Sequence, residues 1–245
     1  MDLFDKYIVN TADLLGGYPS ERFAFSKNKI WETSAHAEFM TQKESQAELG
    51  GGDTPSLGFT VPSSDIDFEN ETWLIGRDLK KLSGNVPFVK IVFVKTKNVA
   101  RDDQSRYDAY KQLEFVKYNV NVKGFMERAS PVNMREEVRV SKKAVKNGLS
   151  FEVIGNTFID AYLKYDTVEK VRVVFITGDF RDFDKLHEIA GKIKAAQNAL
   201  NHIFDNVVVD CKNCNLKPIC DSCGLREICD EVEGMRELHV GMAKK

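Results

Sequence analysis

Leu3, Phe4, Tyr7, Ile8, Leu14 and Leu15 keep an approximate helical stripe, which predicts a first helix from Asp2 to about Leu15. Gly16-Gly17 closes it, with Pro19 just beyond. A second helix is expected from about Ser34 to Glu48, with Thr33 or Ser34 as its cap and Glu38 placed for a capping-box contact. The period then shortens. Leu57 to Val61 reads as a short strand bounded by prolines, and Val89 to Val94 is apolar enough for a central strand. The clearest alternation runs from Val116 to Lys123, where every second residue is apolar. It predicts a half-buried strand with Lys117 and Lys123 on its wet side. Another strand is expected from Glu137 to Val140.

From Ser141 the helical period returns. Ser141 is placed to cap a short helix that stops at Asn147-Gly148, and Phe151, Ile154, Phe158, Ala161 and Tyr162 mark the next one. Residues 169–177 read as a strand. The helix from Phe183 to about His202 carries Leu186, Ile189, Ala190, Ile193, Leu200 and Ile203 on one stripe. Strands grouped in the middle with helices added late predict an α+β fold, a largely antiparallel sheet with flanking helices and a C-terminal cysteine-rich tail. The expected organisation is an N-terminal helical and glycine-rich segment (1–56), a central α+β domain (57–206) and a metal-binding tail (207–245).

Composition adds little until charge is divided along the chain. Hydrophobic residues at 42% and charged ones at 29%, without an apolar run near 18 residues, imply a globular chain that does not span a membrane. The overall charge of −2 conceals an asymmetry: residues 1–79 are net −8, 80–146 net +9 and 147–245 net −3. A basic middle segment is either a solvated face or a site for a polyanion. Nucleic acid is disfavoured, because the whole chain is slightly acidic and shows no recognisable module for it. The three successive glycines Gly50-Gly51-Gly52 permit a tight turn, but no Gly-Lys-Ser/Thr follows, so they are not a Walker loop. His36, His187, His202 and His239 are too scattered to read as a catalytic set.

All five cysteines lie within Cys211–Cys229: Cys211, Cys214, Cys220, Cys223 and Cys229, spaced x2, x5, x2 and x5. Two Cys-x2-Cys turns supply four converging thiolates. The start Met1-Asp2-Leu3-Phe4-Asp5-Lys6 has neither a basic nor an apolar leader region, so a cytoplasmic location is expected and disulfides are disfavoured. Zinc sites usually separate their two pairs by a dozen or more residues, whereas five intervene here. The compact spacing favours a four-iron, four-sulfur (4Fe-4S) cluster, held by Cys211, Cys214, Cys220 and one of Cys223 or Cys229, with zinc as the alternative.

Glu48-Leu-Gly-Gly with Thr54-Pro55, Ile75-Gly76, Gly124-Phe125, Val138-Arg-Val-Ser-Lys142 before Gly148, Val171-Arg-Val-Val-Phe-Ile-Thr177 and Cys211-x2-Cys214 occur in one order. In that order they resemble the central region of the β subunit of carbon monoxide dehydrogenase/acetyl-CoA synthase, a nickel–iron–sulfur enzyme of anaerobic one-carbon metabolism. The resemblance implies a coenzyme A-related site at Arg139 and Lys142. We add Arg128 and Lys143 from the same basic segment as candidate anion-binding residues.

The chain also departs from the family. The family's cluster pattern, Cys-x2-Cys-x8-Cys-x9-Cys, falls on Cys211, Cys214, Cys223 and then Glu233; its Trp before Val-Arg is here Glu137; and its nickel-binding Cys-Gly-Cys is not in this sequence. The expectation is therefore an accessory iron–sulfur protein, not catalytic alone, that docks a corrinoid or methyl-carrier protein or binds a CoA-like anion. A zinc-stapled adaptor with no redox role is the alternative.

Overall fold

The computed structural model describes residues 4–97, 103–130 and 132–202. The cysteine-rich tail expected at 207–245 lies outside them. Helix α1 (Asp5–Gly16) is followed by strands β1 (Glu21–Ala24), β2 (Ser45–Leu49), β3 (Ser56–Ser63), β4 (Glu71–Gly76), β5 (Gly84–Val86) and β6 (Phe88–Thr96). Then come α2 (Asp103–Asn119), β7 (Phe125–Ala129), β8 (Glu136–Ser141), α3 (Lys142–Lys146), α4 (Phe151–Leu163), β9 (Val168–Thr177) and α5 (Phe183–His202).

The strands form two sheets, one of five in the order β1-β4-β9-β6-β3 and one of four in the order β5-β2-β8-β7. The class is α+β as expected. The sheets are mixed, however, and not largely antiparallel: β3–β6, β4–β9 and β2–β5 run parallel. β9 lies between parallel β4 and antiparallel β6. A strand in that place is covered on both faces, so its sequence reads as a continuous apolar run with no alternation to betray direction.

Two cores follow from the alternation of side chains on the five-stranded sheet. Val89, Ile91 and Phe93 of β6, with Val174 and Ile176 of β9, pack against Ile8 and Leu15 of α1 and Leu186, Ala190 and Ile193 of α5. Phe88, Val92 and Val94, with Val173 and Phe175, face the other way. They meet Phe151, Ile154 and Phe158 of α4 and the inner face of the four-stranded sheet, which supplies Leu49, Phe125, Val138 and Val140. The smaller sheet is thus laid over the larger one, with α4 beside it.

Two expected elements are corrected. Residues 34–44 are not helical: they run as irregular chain across the outer face of the smaller sheet, and 45–49 are strand β2. The good helix formers there lack an apolar stripe, since Met40 is buried while Phe39 is 87% exposed, and Ser45–Leu49 alternates instead. Glu38 caps no helix; its Oε2 accepts from the Gly124 amide at 2.7 Å. The first half of the strand expected at Val116–Lys123 is instead the end of α2, whose Leu113 and Val116 are buried three residues apart, and in the second half Val122 makes an isolated bridge to Thr33. Lys117 is half-buried on that helix, and Lys123, just past it, pairs with Glu32 at 2.7 Å.

The cap at Ser141 is as expected, its hydroxyl accepting from the Ala144 amide. Among the described residues no helix is long and apolar enough to cross a membrane.

Candidate functional site

Where the two sheets meet, the core contains charge. Lys90 points from the first half of β6 towards the smaller sheet and is only 4% exposed. Register puts Glu127 of β7 and Glu136 of β8 on the facing side of that sheet, since Glu127 pairs with Val138 and Glu136 with Ala129. The Lys90 ammonium contacts the Glu127 carboxylate directly and lies 3.8 Å from Glu136 Oε1. Its other side rests 4.7 Å from the centre of the Phe158 ring.

Burial works against the Lys90 charge, but the carboxylates of Glu127 and Glu136 outweigh it and hold the ammonium above its usual range. Burial raises the carboxyl of Glu136 well above its ordinary value, because the one ammonium must serve two acids and Glu127 is a like charge beside it. Tyr162, on α4, is likewise pushed up by burial.

A cleft of about 120 Å³ opens beside this cluster, with Gly58, Met134 and Glu136 on one side, Glu114 and Tyr118 of α2 on another, and Ile193 of α5 opposite. Gly58 pairs in register with Lys90. It has to be glycine, because a Cβ there would overlap the Glu136 carboxyl. The backbone at Met134 is left-handed, with φ of 60°, and its carbonyl accepts from the Gly58 amide at 2.6 Å. Glu136 Oε2 is buried without a hydrogen-bond partner.

The glycine turn stands against the same strand. Arg135 donates from one guanidinium nitrogen to the carbonyls of Gly50 (3.0 Å) and Gly52 (2.9 Å), and from Nε to Ser56 Oγ at 3.4 Å. Gly50 has φ of +68°, and a Cβ there would strike the Glu136 carbonyl oxygen and Ser56. The Glu-Leu-Gly-Gly turn and the strand leading to Arg139, about 90 residues apart in sequence, are therefore one packed unit.

The four candidate anion residues divide. Arg139 is committed internally: it donates from two nitrogens to Glu48 Oε1 at 3.2 and 3.1 Å and to the Met40 carbonyl at 2.8 Å. Arg128 is exposed on β7 opposite Glu137 and shares the outer sheet face with Arg139. Lys142 and Lys143 are exposed at the start of α3, and Lys142 Nζ donates to the Lys43 carbonyl at 3.2 Å. Four cations of residues 80–146, Lys90, Lys95, Lys123 and Arg139, are thus paired with carboxylates of this chain. Cys211, Cys214, Cys220, Cys223 and Cys229 lie outside the described residues.

Lys90, Glu127 and Glu136 were not singled out by the sequence reading. A signal existed: Phe88-Val89-Lys90-Ile91-Val92-Phe93-Val94 contains one lysine in an otherwise apolar run. A cation in a strand buried on both faces requires a buried acid as its partner.

Residues 32–181 match the model of a family described as the CO dehydrogenase/acetyl-CoA synthase complex beta subunit. That span runs from the stretch between β1 and β2 to just after β9 and includes the glycine turn, the Arg139 strand and the buried charge cluster. No curated protein matches the chain.

Proposed function

Because the chain belongs to the CO dehydrogenase/acetyl-CoA synthase complex beta subunit family, we propose that it is an accessory iron–sulfur protein of one-carbon metabolism that acts by docking a partner. The observation that carries this reading is the joining, in one chain, of the family's central fold over 32–181 to five thiols within Cys211–Cys229. The family description is that of a subunit of a complex, which supports a protein partner. The partner we favour is a corrinoid or methyl-carrier protein, met through the exposed cations Arg128, Lys142 and Lys143; a CoA-like anion is the second candidate for the same surface.

The thiol set fits a cluster by its chemistry. Four soft sulfur donors within a short span suit a 4Fe-4S cube, and two Cys-x2-Cys pairs give them a compact arrangement. Cys211, Cys214, Cys220 and one of Cys223 or Cys229 would hold it. When bound, such a cluster supplies a store for a single electron. Arg139 acts here as a positioning residue. Its bond to Glu48 pins β2 to β8 and its bond to Met40 pins residues 34–44 over the sheet, which leaves the neighbouring cations to face outward. None of the five cysteines lies in a Cys-Gly-Cys, so these 245 residues do not offer the family's nickel ligands, and no acetyl-CoA-forming step is assigned to them.

Docking is tested by titrating a corrinoid methyl-carrier protein into the chain at low and high salt. Saturable binding that weakens with salt is expected, and Lys142→Glu with Lys143→Glu should weaken it about tenfold or more, since reversing interfacial charge turns attraction into repulsion. Binding that is absent at low salt, or indifferent to these substitutions, contradicts the docking surface. Coenzyme A in the same titration separates the two candidates.

A further inference from the structure

The chain between β1 and β2 sets one aromatic side chain in solvent and holds it there. Phe39 is 87% exposed, yet the residues on either side of it are anchored. Glu38 Oε2 accepts from the Gly124 amide at 2.7 Å. Met40 is buried; its amide donates to Met126 Sδ at 3.1 Å, and its carbonyl accepts from Arg139 Nη1 at 2.8 Å. Further on, the Lys43 carbonyl accepts from Lys142 Nζ at 3.2 Å, and residues 41–45 close as a turn, the Glu44 amide donating to the Thr41 carbonyl at 3.1 Å. A stretch without a helix or ladder of its own is thereby tied to β7, β8 and α3, and Phe39 faces outward from it.

Single exposed apolar side chains are ordinary, but a ring whose backbone is held on both sides has already given up the freedom that binding would otherwise remove. Ala35 and Ala37, at alternate positions before it, are exposed too.

The charge around the ring is one-sided. Of the acids beside it, Glu48 is paired with Arg139, Glu38 is turned to the Gly124 amide and Glu137 lies 3.9 Å from Arg135; Glu44 is the one in full exposure. Lys43, Arg128, Lys142 and Lys143 are all exposed, and none is ion-paired among the described residues. Arg128 lies two residues along β7 from Met126, on the same outer face, while Lys142 meets the stretch at Lys43. Cations therefore stand on both sides of the ring.

We propose that Phe39 is the apolar anchor of the docking surface, inserting into an apolar pocket of the methyl-carrier partner whose acidic rim meets Arg128, Lys142 and Lys143. This rests on the docking reading above and deepens it by naming the residue that holds the complex together. The surplus of exposed cations selects an acidic rim, and the ring selects a pocket within it. An aromatic side chain that loses its water inside a ring of polar contacts is the usual form of a binding hot spot. The two parts divide the work: the cations hasten encounter and set its salt dependence, whereas the ring, dehydrated only in the complex, slows dissociation. A lipid surface takes rings and cations too, but interfacial binding draws on the apolar face of an amphipathic helix, and this irregular stretch offers none.

Association and dissociation rates of the full chain with a corrinoid methyl-carrier protein, measured at several salt concentrations, test this. Phe39→Ala is expected to raise the dissociation rate about tenfold or more while association and its salt dependence stay within about twofold. Lys142→Glu with Lys143→Glu should do the reverse, slowing association and removing its salt dependence. The ring being in solvent, Phe39→Ala should leave the urea midpoint in place, which separates lost binding from lost fold. No binding by the wild-type chain contradicts the docking reading, and the anchor falls with it. Binding that the charge reversals weaken and Phe39→Ala does not overturns the anchor alone. So does a lowered urea midpoint in Phe39→Ala, or Phe39-dependent capture on phosphatidylserine vesicles, which makes the ring a membrane contact.

Discussion

Lys90→Met is expected to lower the unfolding free energy at pH 7 by about 3–5 kcal/mol, the usual cost of removing one partner from a buried ion pair. Methionine fills the volume with an unbranched apolar chain, so packing loss is small and the effect is electrostatic. Without the ammonium, Glu127 and Glu136 face each other in the interior and accept a proton between them. The deficit should therefore shrink as pH falls and grow as it rises.

The wild-type protein has its own pH dependence from this cluster. The folded Glu136 carboxyl titrates above its ordinary value of 4.5, so its contribution to stability is fully present below that pH and is lost as pH rises through the folded value. Lys90, raised in the folded state, contributes at every pH below its ordinary 10.5 and loses that contribution only as alkali reaches its folded value. Urea unfolding from pH 5 to 9 on wild type, Lys90→Met and Glu136→Gln measures these slopes. Glu136→Gln should flatten the fall with pH, and a Lys90→Met deficit below about 1 kcal/mol, in the range of an exposed pair, would show that the ammonium is not buried against the acids.

Phe175→Ala is the second large effect, expected to cost about 3–5 kcal/mol, the range for deleting a buried aromatic side chain. Phe175 is fully buried near the C-terminal end of β9, with ring centroids 4.7 Å from Phe151 and 6.2 Å from Phe88. Those two neighbours come from different elements, α4 and β6, and cannot move in to fill the void without dragging their backbones. Urea unfolding should show a lower midpoint with an unchanged slope, the signature of altered stability without altered unfolded surface. A loss under 1 kcal/mol would mean that β9 is not the strand on which the two layers are assembled.

These two residues show what sequence alone conveys here. The apolar runs of β6 and β9 and the stripes of α4 and α5 identify their elements without help, because a strand buried on both faces and a helix buried on one have distinct periods. The pairing of those strands does not follow, since a continuous apolar run is compatible with either direction. At 34–49 local propensity favoured a helix, and pairing of Ser45–Leu49 with β8 and β5 overrode it. At Val116–Lys123 a few alternating residues matched both a strand and the end of a helix, and the burial of Leu113 and Val116 decides for the helix.

The site was legible in a different proportion. The glycine turn and the Arg139 strand could be read as family marks, and the family match over 32–181 bears out the family they pointed to. That Arg139 is saturated by Glu48 could not be read, because the two residues are 91 positions apart. The Lys90–Glu127–Glu136 cluster shows the same limit: each residue has an ordinary local context, and only the stacking of two sheets makes their charges face one another.

The metal bound by the thiols decides the account most directly. Protein purified without oxygen should be brown, absorb broadly near ~400 nm and contain about four irons per chain, the signature of a 4Fe-4S cluster. A colourless protein carrying about one zinc per chain would contradict the iron–sulfur reading and leave a metal-stapled adaptor in its place.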